Sequence, residues 1–288
     1  MKITIGIVNY NSINDTKRLI ESIIKNKPIF PYEIVVLDNF SKDESRKILS
    51  EMKDIKVIFK SRNTGFGRGC NDIARRSKGE FILFLNPDVI VNESSIDNLV
   101  KFMDRNREVG VCGGKLLNLD GTIQYSCRRF PTFFNVFFGR ETFLTKLYPY
   151  NRFTRDYMCM DMDYEKDNEV DWLRGAVLMV RREAFEKLNG FDERFFLFLE
   201  DTDLCYRMRM EGYKVFYVSD AIFYHRLGGC MAKDLIKTRV IHNYSFYKYF
   251  KKYMKNKIIS FLLDFAFISR LIMIIYFTTI EEFFYGSR

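Results

Sequence analysis

A chain of 288 residues, 47% hydrophobic and 29% charged, has the composition of a globular protein; this excludes disorder and suits one large domain or one domain with an extension. Its formal net charge of +9 favours anionic partners, among them nucleic acid, an acidic membrane surface and phosphorylated small molecules, without choosing among them. The six cysteines (70, 112, 127, 159, 205 and 230) form no C-x-x-C pair and match no zinc spacing, so they read as reduced thiols of a cytosolic protein.

The opening MKITIGIVNYN alternates like a strand and lacks the apolar core and cleavage site of a signal peptide, which predicts a cytoplasmic location. Ile3–Val8 is a predicted strand, followed by a helix over Asp15–Lys25 with Asn14 or Asp15 as cap. Glu33–Leu37 is the next strand and Asp43–Met52 the next helix. Ile55–Phe59, Gly67–Ser77 and Phe81–Leu85 continue the alternation as strand, helix and strand. Short apolar runs between amphipathic helices predict an α/β fold with a mostly parallel central sheet and helices on its faces.

Ligands of open α/β sheets bind beyond the carboxyl ends of the strands. Those ends read Asn9-Tyr10-Asn11, Asp38-Asn39, Arg62-Asn63-Thr64-Gly65 and Asn86-Pro87-Asp88. Any one of them has the composition of an ordinary turn. Four in succession at the ligand edge point to a ligand. The last is the sharpest, because FILFLNPDVIV carries a carboxylate out of a buried strand on a proline turn. An unpaired charge out of water costs several kcal/mol, so Asp88 needs a partner. The stretch NTGFGRGCN, residues 63–71, opens a helix, where glycines let backbone approach a ligand and the N-terminus attracts anions. It is not G-x-G-x-x-G and lacks the lysine of a P-loop, which argues against an ATPase.

Residues 128–168 are aromatic and basic, then acidic, without clean periodicity; this predicts long loops over a site. The block from 172 to 218 gathers Trp172, Gly175, Asp192, Glu193, Glu200, Asp201 and Asp203, with Arg207 and Arg209 close behind. Acids in a first helical turn are also common as solvated, dipole-favoured residues. Beyond it, FYKYFKKYMKNK is dense in lysine and aromatics, and IISFLLDFAFISRLIMIIYFTTI follows. That second stretch is long enough to span a bilayer, but Asp264 and Arg270 would each cost about 2.5–3.5 kcal/mol near its centre. An interfacial helix is therefore expected, its lysines drawn to anionic lipid. The alternative is a helix packed on the catalytic domain or on a second subunit, the latter making a homodimer.

The motifs IVNYN, VVLDNFSKDES, RNTGFGRGCN, LFLNPDV, GAVLMVRREAFEKLNGFDERFFLFLEDTDLCYR and YHRLGG follow in order between Ile5 and about Lys252. This run resembles the family 2 glycosyltransferases of the inverting GT-A fold, in particular the rhamnosyltransferase-like enzymes of cell-surface polysaccharide assembly. The resemblance implies a catalytic domain over 1–245, with a nucleotide-binding part at 1–125 and an acceptor and catalytic part at 126–245. Residues 246–288 form a helical extension. Asn9 and Tyr10 are implied to line the base and ribose pocket, with Asp38 bonding the base. Asn63, Gly65 and Asn71 would shape the nucleotide floor. Asp88 would bind a divalent metal, Mn2+ or Mg2+, with Asn86 standing where many relatives have a first aspartate and bonding a ribose hydroxyl instead. His225 matches a further metal-side residue, and its nitrogen tilts the preference towards manganese.

Asp201 resembles the family's general base, with Glu200 and Asp203 positioning it or binding sugar hydroxyls. Trp172 is a candidate to stack on a sugar face, and Arg174 to approach the diphosphate. The implied reaction moves a sugar from a nucleotide-diphosphate donor to a hydroxyl of a glycan or lipid-linked acceptor. The subgroup suggests dTDP-rhamnose, with a UDP-hexose as the alternative. The implied location is the cytoplasmic face of the cell membrane, held peripherally. A glycoside hydrolase also pairs carboxylates but needs no polar nucleotide edge. A non-catalytic nucleotide-sugar binder has no use for Asp88 and Asp201 together. A nucleic-acid-binding protein fits the charge but has no motif here to carry it, so no nucleic-acid partner is expected.

Overall fold

The computed structural model describes residues 1–132, 148, 151–226, 235–254 and 257–285. In the first half, strands β1 (Ile3–Asn9), β2 (Tyr32–Asp38), β3 (Lys56–Phe59) and β4 (Phe81–Leu85) alternate with helices α1 (Ile13–Lys25), α2 (Ser45–Glu51) and α3 (Phe66–Arg75). Then follow β5 (Val89–Val91), α4 (Ser95–Arg105), β6 (Val109–Leu117), β7 (Ile123–Gln124), β8 (Cys127–Arg128) and α5 (Arg152–Tyr157). The remainder comprises β9 (Asn168–Glu169), β10 (Trp172–Leu173), β11 (Val177–Arg181), α6 (Arg182–Lys187), α7 (Glu200–Met210), β12 (Lys214–His225), α8 (Leu235–Tyr253) and α9 (Lys257–Tyr285).

The main sheet runs β3-β2-β1-β4-β11-β6-β12-β5, with β7 beside β6 and β9 beside β12. Its N-terminal half, β3-β2-β1-β4, is parallel throughout, as the alternation predicts. The second half is mixed: β11 is antiparallel to β4 and β6, β12 is parallel to β6, and β5 is antiparallel to β12. Successive residues of a strand face opposite sides, so each strand feeds two cores. Ile3, Ile5 and Ile7 of β1 join Leu19, Ile23, Leu99 and Met103 on one side. Val8, Val35 and Leu37 join Ile73, Phe185, Phe191 and Leu204 on the other. A third cluster sits apart, where Phe195 and Leu199 meet Phe246, Tyr249 and Phe250 of α8 and Leu263 and Phe267 of α9. Helix α8 runs unbroken across position 246, with His242 against Phe198 before that point and Phe246, Tyr249 and Phe250 in the third cluster from it onwards.

Two local details differ from expectation. Helix α1 begins at Ile13 after Ser12, not at Asn14 or Asp15, and the Ser12 hydroxyl is drawn to Asn9 Oδ1 at 3.0 Å instead of capping the helix. The glycines of NTGFGRGCN admit protein rather than ligand: a Cβ on Gly69 would lie 3.1 Å from Val8 of β1, and one on Gly67 would lie 3.1 Å from Phe191. Of the expected loops at 128–168, the described part holds α5 and buries Tyr157, Cys159 and Tyr164; residues 133–147 and 149–150 lie outside the described residues. Cys70, Cys112, Cys127, Cys159 and Cys205 are free and buried, and Cys230 lies outside the described residues.

Candidate active site

The carboxyl ends of β1 and β2 meet in a closed hydrogen-bond net. Asn9 and Asp38 face each other in register, and Asn9 Nδ2 donates to Asp38 Oδ1 at 3.0 Å and to Ser41 Oγ at 3.1 Å. Asn9 Oδ1 accepts from Ser12 and Thr16, and Asp38 Oδ2 accepts the Ser41 N–H. Both Asn9 and Asp38 are fully buried, while Tyr10 is 43% exposed beside them. One step along the edge, Asn39 Nδ2 donates to Asn63 Oδ1 and to the Gly65 carbonyl, and its Oδ1 takes the Thr64 N–H. Gly65 has φ +87°, and a Cβ there would fall 2.2 Å from the Phe196 carbonyl, so only glycine fits this approach. Asn71 turns from the edge and brackets the Phe191 peptide, accepting its N–H at 2.8 Å and donating to its carbonyl at 2.9 Å.

Asp88 does find a partner. Strand β5 starts one residue later and pairs antiparallel with β12, placing Val89 opposite His225. His225 Nε2 then lies 3.2 Å from Asp88 Oδ1, with both side chains largely buried. The orientation of the ring is set by Gln124, a residue that no sequence motif singles out. Gln124 Nε2 donates to Asn118 Oδ1 at 2.7 Å and to the His225 carbonyl, which leaves its Oε1 to accept from His225 Nδ1 at 2.8 Å. With Nδ1 held on the Gln124 amide, Nε2 is turned to the Asp88 carboxylate, so that a nitrogen and an oxygen donor face each other. The residues thus fit a divalent cation: a carboxylate and an imidazole converge, and the second nitrogen is held by an amide. Among the described residues no third His, Cys, Asp or Glu joins them, so water and ligand oxygens would complete the shell. Asn86 lies in the turn before Asp88, its N–H bonded to the Ala176 carbonyl at 2.9 Å.

That contact leads to the acids. Ala176 follows Gly175, whose N–H donates to Asp201 Oδ2 at 2.9 Å; Thr202 N–H donates to Oδ1 at 2.7 Å. Burial raises the Asp201 carboxyl above its ordinary range, while these two N–H groups and the charge of Arg174 oppose the rise. Its neighbour Glu200 is buried and pushed well above the ordinary glutamate range, first by desolvation and then by the Asp201 charge. Glu200 Oε2 has no hydrogen-bond partner among the described residues. Asp203 is 0% exposed and faces Arg207 at 2.7 Å, Tyr253 at 2.6 Å and Lys252, so its environment is protein on every side. Trp172 is likewise buried, its Nε1 donating to the Arg129 carbonyl at 2.8 Å. The structure therefore brings Asn86, Asp88, His225 and Asp201 to one edge, and folds Trp172, Glu200 and Asp203 into the support beneath it. A cavity of about 560 Å³ against α5, lined by Arg129, Arg152, Arg155 and Glu169, includes none of these residues.

Of the seven non-glycine residues with left-handed φ among the described residues, four lie along this edge: Asn11, Phe40, Phe198 and Leu199, with φ between 51° and 69°. Such conformations persist only where surroundings over-determine them, and they gather at functional sites.

A parallel half β3-β2-β1-β4 joined to a mixed half, with one acid on the turn after β4 and another on α7, is the architecture of the GT-A glycosyltransferases. The mannosyltransferase PcManGT of Pyrobaculum calidifontis, solved with GDP-Man and Mn2+, superposes with a TM-score of 0.59 at 16% identity, over 88% of this chain and 64% of that one. Residues 4–210 match the sequence model of glycosyl transferase family 2, and the chain belongs to that family. It is 27% identical over 229 residues to the N-acetylglucosaminyl-diphospho-decaprenol L-rhamnosyltransferase of Mycobacterium tuberculosis, covering 75% of this chain and 74% of that enzyme. It is 28% identical over 228 residues to the rhamnosyltransferase WbbL of Escherichia coli, covering 74% and 78%.

Proposed function

We propose that this family 2 enzyme transfers rhamnose from dTDP-rhamnose to a hydroxyl of a lipid-linked or growing glycan, inverting the anomeric centre. The names of its rhamnosyltransferase relatives, one acting on a diphospho-decaprenol lipid, support the sugar and the acceptor class. The observation that carries the chemistry is Asp201, a carboxylate poised between burial and two backbone donors. A general base works best with its pKa near the operating pH, and burial moves Asp201 in that direction. The acceptor O–H gives its proton to Asp201 as its oxygen bonds the anomeric carbon. The bond from that carbon to the diphosphate oxygen breaks, and its electron pair leaves with the nucleoside diphosphate. Asp88 and His225 would hold Mn2+ or Mg2+, which when bound supplies neutralising charge to the departing diphosphate. Tyr10, Asn63 and Asn86 line the donor side, and Asn9 and Asp38 hold the base pocket in shape from below.

A thermal-shift screen of dTDP, UDP and GDP sugars in manganese tests the donor. The largest stabilisation is expected from dTDP-rhamnose, since a ligand that binds only the native state raises Tm. A larger shift from a UDP-hexose would transfer the assignment to that sugar.

The acceptor class asks for a membrane surface, and α9 offers a face for one. Phe261, Phe265, Ile268, Ile272 and Tyr276 form an exposed stripe at helical spacing, with Phe265 73% exposed. The two charges within the span of the stripe, residues 261–276, turn away from it towards α8: Asp264 meets Lys251 at 2.7 Å and Tyr247 at 2.9 Å, and Arg270 lies over the Phe246 ring. Among the described residues no helix is long and apolar enough to cross a membrane. Peripheral contact with an anionic cytoplasmic leaflet fits this face and the net charge of +9, whereas two such copies would repel. Full-length protein is expected to co-sediment with phosphatidylglycerol vesicles, less so at high salt, and Phe265→Ser with Ile272→Ser to release it. Undiminished binding by that variant, or a dimer that the same changes dissolve, would overturn the assignment.

A further inference from the structure

We infer that helix α8 is part of the catalytic apparatus, with Lys252 and Tyr253 acting as positioning residues for Asp201 through Asp203. The inference rests on Asp201 being the base. Two residues along an α-helix are about 200° apart, so Asp201 and Asp203 leave α7 on nearly opposite sides. Asp201 faces the Gly175 and Thr202 N–H groups at the site. Asp203 faces inward, where a buried carboxylate is tolerated only if it is paired. Arg207, four residues on in the same helix, bonds Oδ2 at 2.7 Å and spends its other nitrogens on the carbonyls of Leu188 and Gly190. The second oxygen, Oδ1, is held from α8, by Lys252 Nζ and by the Tyr253 hydroxyl at 2.6 Å. The first turn of the base-bearing helix is thus gripped on one side by the site and on the other by α8.

A second set of contacts makes the same connection. The segment from Asp192 to Leu199 leads into α7, and α8 holds it along its length. Lys252 Nζ meets Asp192 at 2.7 Å, Lys248 Nζ donates to the Arg194 carbonyl at 2.6 Å, and Ser245 Oγ donates to the Leu197 carbonyl at 2.8 Å. The His242 ring stands edge-on to Phe198 with centroids 5.0 Å apart. This segment ends in Phe198 and Leu199, two successive left-handed residues with φ 68° and 64°. That conformation is strained for an L-amino acid, so it depends on what packs against it. Phe195 and Leu199 pack in the cluster built by α8 and α9. On its far side the segment accepts the Phe66 N–H at the Phe196 carbonyl, beside Gly65. Helix α8 therefore braces the strained approach to Asp201 and, through Phe196, touches the donor loop.

The test uses the full-length protein with Lys252→Met, Lys252→Arg and Tyr253→Phe, and Tyr247→Phe as a control that loosens the α8–α9 contact at Asp264 without reaching Asp203. Turnover is followed with dTDP-rhamnose and N-acetylglucosaminyl-diphospho-decaprenol, and amide exchange at Gly175 and Thr202 reports on the Asp201 carboxylate whether or not these substrates react. Lys252→Met and Tyr253→Phe are expected to lower kcat by about tenfold to a hundredfold with donor KM within about twofold, the signature of a misplaced group. Exchange at the two amides should quicken in parallel, Lys252→Arg should restore most of both, and Tyr247→Phe should match wild type. A fall in Tm with wild-type kcat and wild-type exchange at Gly175 and Thr202 would reduce α8 to a structural brace and sink the inference. Asp201→Asn, assayed alongside, separates the two levels: turnover surviving there removes the base itself, whereas its loss with unaffected Lys252 and Tyr253 variants removes only the positioning role.

Discussion

At Asn9 and Asp38 the hydrogen-bond partners are Ser12, Thr16 and Ser41, residues of the same two β-α connections; at Asp203 they include Lys252 and Tyr253, some fifty positions down the chain. The Asn9–Asp38 net is closed by its own turns, and this edge meets the rest of the chain further along, where Phe66 and Asn71 bond Phe196 and Phe191. The acid edge is strained at Phe198 and Leu199 and takes its shape from Gly175 on one side and α8 on the other. On the proposed function, one half offers a preformed receptor for the donor. The other holds a reactive carboxyl in place by remote packing, and it is where substitution should separate chemistry from binding.

The comparison breaks most sharply at Asp201. Asp201→Asn removes the base and keeps the oxygen that accepts the Gly175 N–H, so kcat should fall by about 10²–10⁴ while donor affinity stays within a few fold. Steady-state kinetics with calorimetric donor titration would check it, and equal losses in kcat and donor binding would mean that the two edges are not separable. Next in size is Gln124→Met. It removes the acceptor that fixes the His225 ring, and loss of such an outer partner costs about 10–100-fold in metal affinity. Manganese titration of the dTDP-bound protein should show that loss, and an unchanged affinity would detach Gln124 from the metal site. Gly65→Ala probes the seam between the edges. Its Cβ would fall 2.2 Å from the Phe196 carbonyl at φ +87°, for a cost of about 1–3 kcal/mol in stability by denaturant melt. Because Phe196 belongs to the segment that leads to Asp201, donor affinity and kcat should both decline.

The donor edge was legible because its signals are local. Period-two apolar runs place β1 to β4, and the polar residues that end them land on the ligand edge by the geometry of a parallel sheet. Asp88 was legible for the same reason, as a charge that a buried strand would not otherwise carry. Gln124 was not, since an isolated glutamine on a two-residue strand has no pattern, and its value comes only from its contact with His225, 101 positions away. Asp203 and Glu200 read as site residues from the cluster EDTD, but helical rotation turns them off the face that Asp201 occupies. The glycines of NTGFGRGCN drew the same inference as a ligand loop would; whether a missing Cβ makes room for a ligand or for Val8 and Phe191 depends on the fold alone.

Glu200 gives the smallest expected effect and the finest test of the acid edge. Desolvation, followed by the Asp201 charge, lifts its carboxyl well above the ordinary glutamate range. Between the ordinary value and that raised one, the native protein keeps a proton that the unfolded chain has released. Stability rises with pH only where the unfolded state binds more protons, so here it must fall as pH climbs through that window. Other groups add slopes of their own, and comparison with Glu200→Gln cancels them, because glutamine binds no proton in either state. Below about pH 4, where glutamate is protonated in both states, the two proteins should differ by a constant. Above it, the variant should gain on wild type by up to about 1.4 kcal/mol per pH unit within the window, then level off. Denaturant melts from pH 4 to 9 measure the difference, and a flat profile would mean that Glu200 ionises normally in the folded protein. Repeating the series in Asp201→Asn should narrow the window, since it removes the neighbouring negative charge but leaves the burial. A window of unchanged width would assign the whole effect to burial and uncouple the two acids.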